Sequence, residues 1–359
     1  MTGHGARPHP HGTLTAVAFA GAGWITVIHG LAATGVPDLH VVHVASRHPR
    51  QARDRARQTG AAPCRYDDLP GDAELVVVAT PPALHLREAR RALAGGAMAL
   101  VEAPLATTLA DADALIDAAA AAEPSADEGQ RGAAYGENLL YAPALARAVA
   151  ACRQLGAPTY LEVRFVQGRP DWRDLSDPVW GGGVLLDLGA HAIASALLLA
   201  APANVARVEA QLARGDGIEV DDDATVTLEF DSGLRAAVHV SWRAPKPAWD
   251  AQAATSEGAV RLELVPRPTA ELNGVPLRVP EAPAGLPSEQ LHHLGYVGQL
   301  ATLAADIAAH RRPAAGLELG RTVLDIVCAA YASAATGHPE PVPFAGPRDR
   351  TPHDLWRTP

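Results

Sequence analysis

One stretch constrains the fold more than any other: Leu14 to His29, LTAVAFAGAGWITVIH. Leu14 to Ala20 is an unbroken apolar run and reads as a buried strand. Gly21-Ala22-Gly23 then forces a sharp turn, and a helix is expected from Trp24 to about Thr34, stopped by Gly35-Val36-Pro37. Strand, glycine turn and helix start together make a cradle for nucleotide phosphates. The glycines let backbone approach the pyrophosphate, and the helix N-terminus meets its negative charge. Gly21, Gly23, Trp24 and Ile25 are therefore candidate cofactor contacts. The third glycine of the G-x-G-x-x-G pattern is replaced by Thr26. That glycine serves helix–strand packing, so the phosphate contact is untouched. An ordinary tight strand-to-helix turn would read the same over these residues alone.

The next segments repeat the alternation. Strands are expected at Leu39 to Ala45, Glu74 to Ala79, Ala97 to Val101 and Ala133 to Glu137. Helices are expected at Arg50 to Gln58, His85 to Leu93 and Leu109 to Ala122, with a polar loop over 123–131. Alternating strands and helices imply a parallel sheet covered on both faces. Ligands bind such sheets beyond the carboxyl ends of the strands. Gly21, Ser46, Thr80, Glu102 and Asn138 all fall at such ends. At the end of the second strand, a free ribose 2′-hydroxyl calls for an acid and a 2′-phosphate for an Arg. Ser46-Arg47 supplies the second arrangement, which favours NADP over NAD. Arg47 stacked on the adenine would be compatible with either.

The bulk numbers bound the function. A chain of 359 residues with 48% hydrophobic content is long enough for two packed domains. A net charge of −10 and the absence of a basic run argue against nucleic acid. The 3 cysteines, Cys64, Cys152 and Cys328, stand far apart, as reduced thiols of a cytoplasmic protein do. No uninterrupted apolar run of the ~18 residues that span a bilayer is evident, so no membrane partner is expected. Residues 1–12 read as a flexible tail, in which His4, His9 and His11 are more simply solvated than metal-bound.

From 138 onward the pattern changes. Asn138 to Pro143 leads into a helix at Ala144 to Gln154, and Thr159 to Gln167 alternates as a strand. Gly181 to Gly183 precedes a helix from about Val184 to Leu199 that carries Asp187 and His191. Four residues apart, these two share one helical face. A carboxylate there would raise the basicity of the imidazole and orient it, although a surface ion pair has the same spacing. No third ligand stands at zinc spacing, so no metal is expected. Strand signals recur to about Val279. Asp221 to Asp223 reads as a solvated strand start. Two helices, Gln290 to His310 and Leu319 to Ala335, and a Pro-rich tail that wraps the surface complete the chain.

ATPPALH at 79–85, VEAPLATT at 101–108 and GGGVLLDLGAH at 181–191 together resemble the glucose–fructose oxidoreductase, inositol dehydrogenase and rhizopine-catabolism (Gfo/Idh/MocA) family. The resemblance implies an α/β protein: an N-terminal Rossmann NAD(P)-binding domain, 13–137, and a C-terminal α/β domain, 138–359, with a large open, mainly antiparallel sheet. It implies NAD(P)-dependent oxidoreduction of a sugar, polyol or cyclic imine, in homodimers or homotetramers assembled through that sheet. It places Thr80, Pro81, His85, Glu102 and Asn138 near the cofactor, and Tyr141, Arg169, Trp172 and Arg173 near the substrate, although Tyr141 packed at the domain junction and a solvated loop pinned by Trp172 fit the same residues. Asp187 and His191 match its catalytic aspartate and histidine. Its catalytic lysine maps onto Ala103. Losing a positioned acid or base commonly costs ~10²–10⁴ in rate. His292, His293 or Tyr296, at the start of a helix that the resemblance brings in from the side of the large sheet, is a candidate replacement. Non-redox chemistry with a recycled cofactor and a non-catalytic partner role remain open from these residues.

Overall fold

The computed structural model describes residues 14–69, 72–122, 132–170 and 176–357. The expected tail, the 123–131 loop, Trp172 and Arg173 lie outside them. Six strands form an all-parallel sheet: β1 (Thr15–Ala20), β2 (Leu39–Ala45), β3 (Ala62–Cys64), β4 (Leu75–Val78), β5 (Met98–Glu102) and β6 (Ala133–Gly136). Their order is β3-β2-β1-β4-β5-β6, the doubly wound Rossmann arrangement. Helices α1 (Trp24–Ala33), α2 (Pro49–Thr59), α3 (His85–Ala94) and α4 (Leu109–Ala121) make the crossovers. β1 and β4 are buried along their whole length, as continuous apolar strands between two helix layers must be. β3 carries no readable apolar signal. It is a three-residue edge strand containing Pro63, and only its pairing with β2 makes it a strand.

The second sheet has nine strands: β7 (Tyr160–Gly168), β8 (Val205–Ala213), β9 (Asp223–Phe230), β10 (Arg235–Ser241), β11 (Arg243–Thr255), β12 (Gly258–Val265), β13 (Thr269–Leu272), β14 (Val275–Pro276) and β15 (Glu340–Pro341). The order is β14-β13-β12-β11-β7-β10-β9-β8-β15, and every pair except β7–β10 is antiparallel. Burial alternates along β8, β9 and β10, so one face is apolar. α5 (Pro143–Leu155), α6 (Val184–Ala200) and α9 (Leu317–Thr336) cover that face. By length and composition alone α6, with the turn before it, is apolar enough to cross a membrane, but 78% of its apolar window is buried inside the protein. It is a core helix. Val78 and Val101 of the first sheet share one hydrophobic cluster with Val226 and Val238 of the second.

Several expectations need correction. The expected helix from 290 to 310 is two: α7 (Gln290–His293) and α8 (Tyr296–Ala308), parted at Gly295, whose φ of 88° is left-handed. Nor does α8 come from the side of the large sheet. Its Val297, Leu300 and Leu303 join Phe19, Leu75 and Leu100 over the six-stranded sheet. The tail does more than wrap the surface: β15 pairs with β8, α10 (Pro352–Arg357) packs on α9, and Phe344 and Leu355 are buried. Asp221 is no solvated strand start. It is fully buried and receives the start of α6, with Gly183 N–H donating to Oδ1 (3.0 Å) and Leu185 N–H to Oδ2 (2.8 Å). The Tyr331 hydroxyl donates to Asp221 Oδ1 and accepts from Gly183 N–H at 3.0 Å. A Cβ on Gly183 would lie 2.0 Å from the Asp221 carbonyl oxygen, so only glycine admits this approach. We expect Tyr331→Phe to cost about 1.5–3 kcal/mol, the value of a buried hydrogen bond to a charged group, measured by urea unfolding. A loss below about 0.5 kcal/mol would show that the hydroxyl does not hold α6 in place.

Candidate active site

The glycine turn sits where the strand order reverses, between β1 and β4. Gly21 has φ of 135°, and a Cβ there would lie 2.3 Å from the Ala79 carbonyl oxygen. Its N–H donates to Ala45 O at 3.0 Å. Thr26, at the third glycine position, is fully buried, and its hydroxyl donates to Gly21 O at 3.0 Å. It ties the turn down by a hydrogen bond. Arg55 on α2 adds a bond from Nε to Ala22 O at 3.2 Å. By contrast, a Cβ on Gly23 would meet nothing within 4 Å. Gly23 opens onto a cavity of about 540 Å³ lined also by Gly21, Ser46, Arg47, Thr80 and Pro81. In its wall, the Thr80 hydroxyl is buried with no hydrogen-bond partner among the described residues. An orphan polar atom of this kind is what a polar ligand satisfies. Bare glycine backbone, a helix N-terminus and an unpartnered hydroxyl fit a dinucleotide.

A second cavity, about 370 Å³, adjoins the first; Gly23, Thr80, Pro81 and Trp180 line both. Trp24, Ile25, Glu102, Ala103, Asn138, Asp187, His191 and Tyr296 line it as well. His191 Nδ1 pairs with the Glu137 carboxylate at 2.8 and 2.9 Å, and forms no such bond with Asp187. Helical spacing brings Asp187 near, but the ring reaches across to a carboxylate at the end of β6. Glu137 is fully buried, and its Oε1 also accepts Leu139 N–H at 3.1 Å. Burial alone would lower the His191 pKa. The Glu137 charge and hydrogen bond override it, helped by Asp187 and Glu102, and hold the imidazole up at about 9. Burial raises Asp187 to about 6 against the opposing pull of His191.

Glu102 accepts a 2.5 Å hydrogen bond from Nε2 of the fully buried His29. Tyr296 stands edge-on to His29, ring centroids 5.4 Å apart. Burial, followed by the charges of Glu102, Glu137 and Asp187, pushes its phenol well above the ordinary range, so it stays a neutral donor. Asn138 Nδ2 donates to Leu294 O at 2.7 Å and so ties this wall to the break before α8. His292 and His293 face one another, 5.4 Å between centroids, and neither lines the cavity. Of the three candidate replacements for the lysine, only Tyr296 is brought in.

Other expected contacts lie elsewhere. His85 lines neither cavity. Its ring is buried between Thr80 O (2.8 Å from Nε2) and Leu105 O (3.1 Å from Nδ1), and burial keeps its pKa low, so it braces the wall from behind. Tyr141 packs beside Gly298 of α8. Arg169 is exposed and donates to Ser176 Oγ at 3.1 Å. Two residues that the sequence reading passed over, His29 and Glu137, are central to the cluster. His29 did carry a signal: it is the one ionisable side chain within the apolar run of α1. Glu137 carried a weaker one, as a carboxylate directly after a buried strand.

A family model described as "Oxidoreductase family, NAD-binding Rossmann fold" matches residues 15–126, and one described as "GFO/IDH/MocA C-terminal domain" matches 144–261. Among curated proteins, none matches the sequence. Solved structures do. GenD2 from gentamicin A biosynthesis, in complex with NAD, is 26% identical with a TM-score of 0.80, over 95% of this chain and 99% of that one. An oxidoreductase domain protein from Kribbella flavida is 21% identical (TM-score 0.81, 92% and 99% covered). Levoglucosan dehydrogenase, in complex with NADH and levoglucosan, is 20% identical (TM-score 0.78, 91% and 99% covered). The geometry makes a direct prediction about the two glycines. Gly23→Ala, whose methyl enters open cavity, keeps stability within about 1 kcal/mol and weakens NAD(P)H binding at least about tenfold. Gly21→Ala costs more than about 2 kcal/mol through clash and left-handed strain. Urea unfolding and cofactor-fluorescence titration check both. Unaltered cofactor affinity in Gly23→Ala would overturn the cradle assignment.

Proposed function

Because the chain belongs to the GFO/IDH/MocA oxidoreductase family, we propose that it transfers a hydride between a nicotinamide dinucleotide and a small sugar or polyol, with His191 handling the proton. The observation that carries this reading is the shared wall of the two cavities. The glycine cradle opens at Gly23, Thr80 and Pro81 into the pocket where His191 is poised. When bound, the nicotinamide gives or takes the hydride. The chain's own residues supply the rest. Glu137 fixes the His191 ring through Nδ1, which leaves Nε2 to exchange a proton with a substrate oxygen. Asp187 supports the imidazolium by charge. Tyr296 donates a neutral hydrogen bond in the pocket where the family lysine is absent. The sugar-active relatives, levoglucosan dehydrogenase and an aldose–aldose oxidoreductase from Caulobacter crescentus, support the substrate class.

The preferred cofactor in this proposal is NADP(H). Ser46, Arg47, His48 and Arg55 line the adenosine end of the cavity. Among the described residues its one lining acid, Asp54, is engaged by Arg57. Binding of NADPH at least about tenfold tighter than NADH is expected, with the preference falling in Arg47→Ala. Equal or tighter NADH binding would overturn it.

The sign of the pH dependence follows from His191. Below pH about 9 the imidazole is protonated and can donate, so carbonyl reduction is supported at neutral pH and falls as pH rises through about 9. Alcohol oxidation needs the neutral ring and rises over the same range. Glu137→Gln removes the main raising influence and should move that limb down by about 1–3 pH units, whereas a purely structural Glu137 would leave it in place. His191→Ala should lower turnover by ~10²–10⁴. Absorbance at 340 nm with a sugar and polyol panel reads all of these. Product formation without net cofactor change would instead favour non-redox chemistry with a recycled cofactor.

A further inference from the structure

The pocket around His191 sets three carboxylates against the one imidazolium in its wall. Glu102 and Asp187 line it, and Glu137 stands directly behind His191. Among the described residues no Lys or Arg lines it, and His191 is the only basic side chain in its wall. Glu102 has His29 as its partner and Glu137 has His191. Among the described residues Asp187 forms no salt bridge; the His191 charge and the indole N–H of Trp242 favour its ionised form, and the Asp221 charge opposes it. Carboxylate charge held out of bulk water is costly unless a countercharge arrives.

The walls point the same way. Trp24, Trp180, Trp249 and Tyr296 line the cavity, a large share of a chain with only 6 Trp and 6 Tyr. Indole and phenol faces attract cations through the ring quadrupole, and a site that combines them with carboxylates selects an ammonium. Gln167 and Asn138 put amide groups into the same wall, suited to hydroxyls. The volume, about 370 Å³, would have to take the nicotinamide ring and a small sugar ring together.

Resting on the function proposed above, we infer that the substrate carries a protonated amino group: the pocket takes an amino sugar, whose ammonium is held by Asp187 against the aromatic walls. The same charge excludes acidic sugars, because a carboxylate would meet carboxylates. The surplus charge would otherwise serve the positive ring of an oxidised nicotinamide. Working with the reduced cofactor, whose ring is neutral, separates the two.

The test is isothermal titration of the protein saturated with NAD(P)H. The titrants are D-glucosamine, D-galactosamine and D-mannosamine, each compared at pH 7.5 with its neutral parent sugar, its N-acetyl derivative and the corresponding uronic acid. At least one amino sugar should bind about tenfold or more tightly than its parent. The N-acetyl derivative should lose that gain and the uronic acid should bind more weakly than the parent. In Asp187→Asn, which keeps the side-chain volume, the preference should shrink to about twofold. Because the ligand series alone reads the charge preference, a variant that fails to fold leaves the test intact. Equal binding of amino and neutral members in every pair, or no binding by any amino sugar, overturns the inference. Turnover of a neutral sugar with no amino preference would do so while leaving the oxidoreductase reading standing. Tight amino-sugar binding with no change at 340 nm in either direction would do the reverse.

Discussion

Everything in the cofactor half of the molecule depends on how closely the turn after β1 approaches the end of β4. The gap leaves no room for a Cβ on Gly21, which faces the Ala79 carbonyl at a distance no side chain tolerates. At this point the strand order reverses, and a crevice opens because neighbouring connections leave in opposite directions. Thr26 and Arg55 then hold the turn through its own carbonyls, leaving its outward edge bare backbone. The bare turn is thus a consequence of packing two strand ends together.

The chemical half depends on a different kind of contact. His191 rides on α6, and α6 is set in place by the buried Asp221 and Tyr331, which take up the first free N–H groups of the helix. Burial would normally strip the charge from an imidazole. Here one carboxylate, Glu137, reverses that outcome because its charge and its hydrogen bond act on the same ring in a poorly screened site. The His29–Glu102 pair repeats the arrangement at a second lining carboxylate. Two carboxylate–imidazole couples, contributed by α1, β5, β6 and α6, bring four segments of the chain to one pocket.

How much of this was legible before the structure varies with the range of the interaction. β1, β2 and α1 were readable because a fully apolar run and a glycine punctuation are local signals. The strands of the second sheet were readable from alternation. β3 was not, since three residues with a proline have no periodicity to detect. Gly295 lay inside an otherwise helical pattern, and only its left-handed φ shows that the helix ends and restarts there. The Asp187–His191 spacing put the carboxylate beside the imidazole on one helix face; the hydrogen-bond partner of the ring is Glu137. Spacing reports which residues share a helix face, and cannot report a carboxylate arriving from 54 positions earlier in the chain.

The amino-acid sequence by itself therefore determined most of the elements, the parallel character of the first sheet and the glycine turn, each from composition or periodicity within a few residues. The significance of an aspartate and a histidine without a lysine at 103 came from the resemblance to the family. Only the tertiary structure decided that Glu137 orients His191, that His29 pairs with Glu102, that α8 crosses onto the first sheet to bring in Tyr296, and that His85 braces the wall. Those contacts are set by burial between distant segments. A buried polar group must find a partner wherever the fold puts one, and the identity of that partner is a property of the packing.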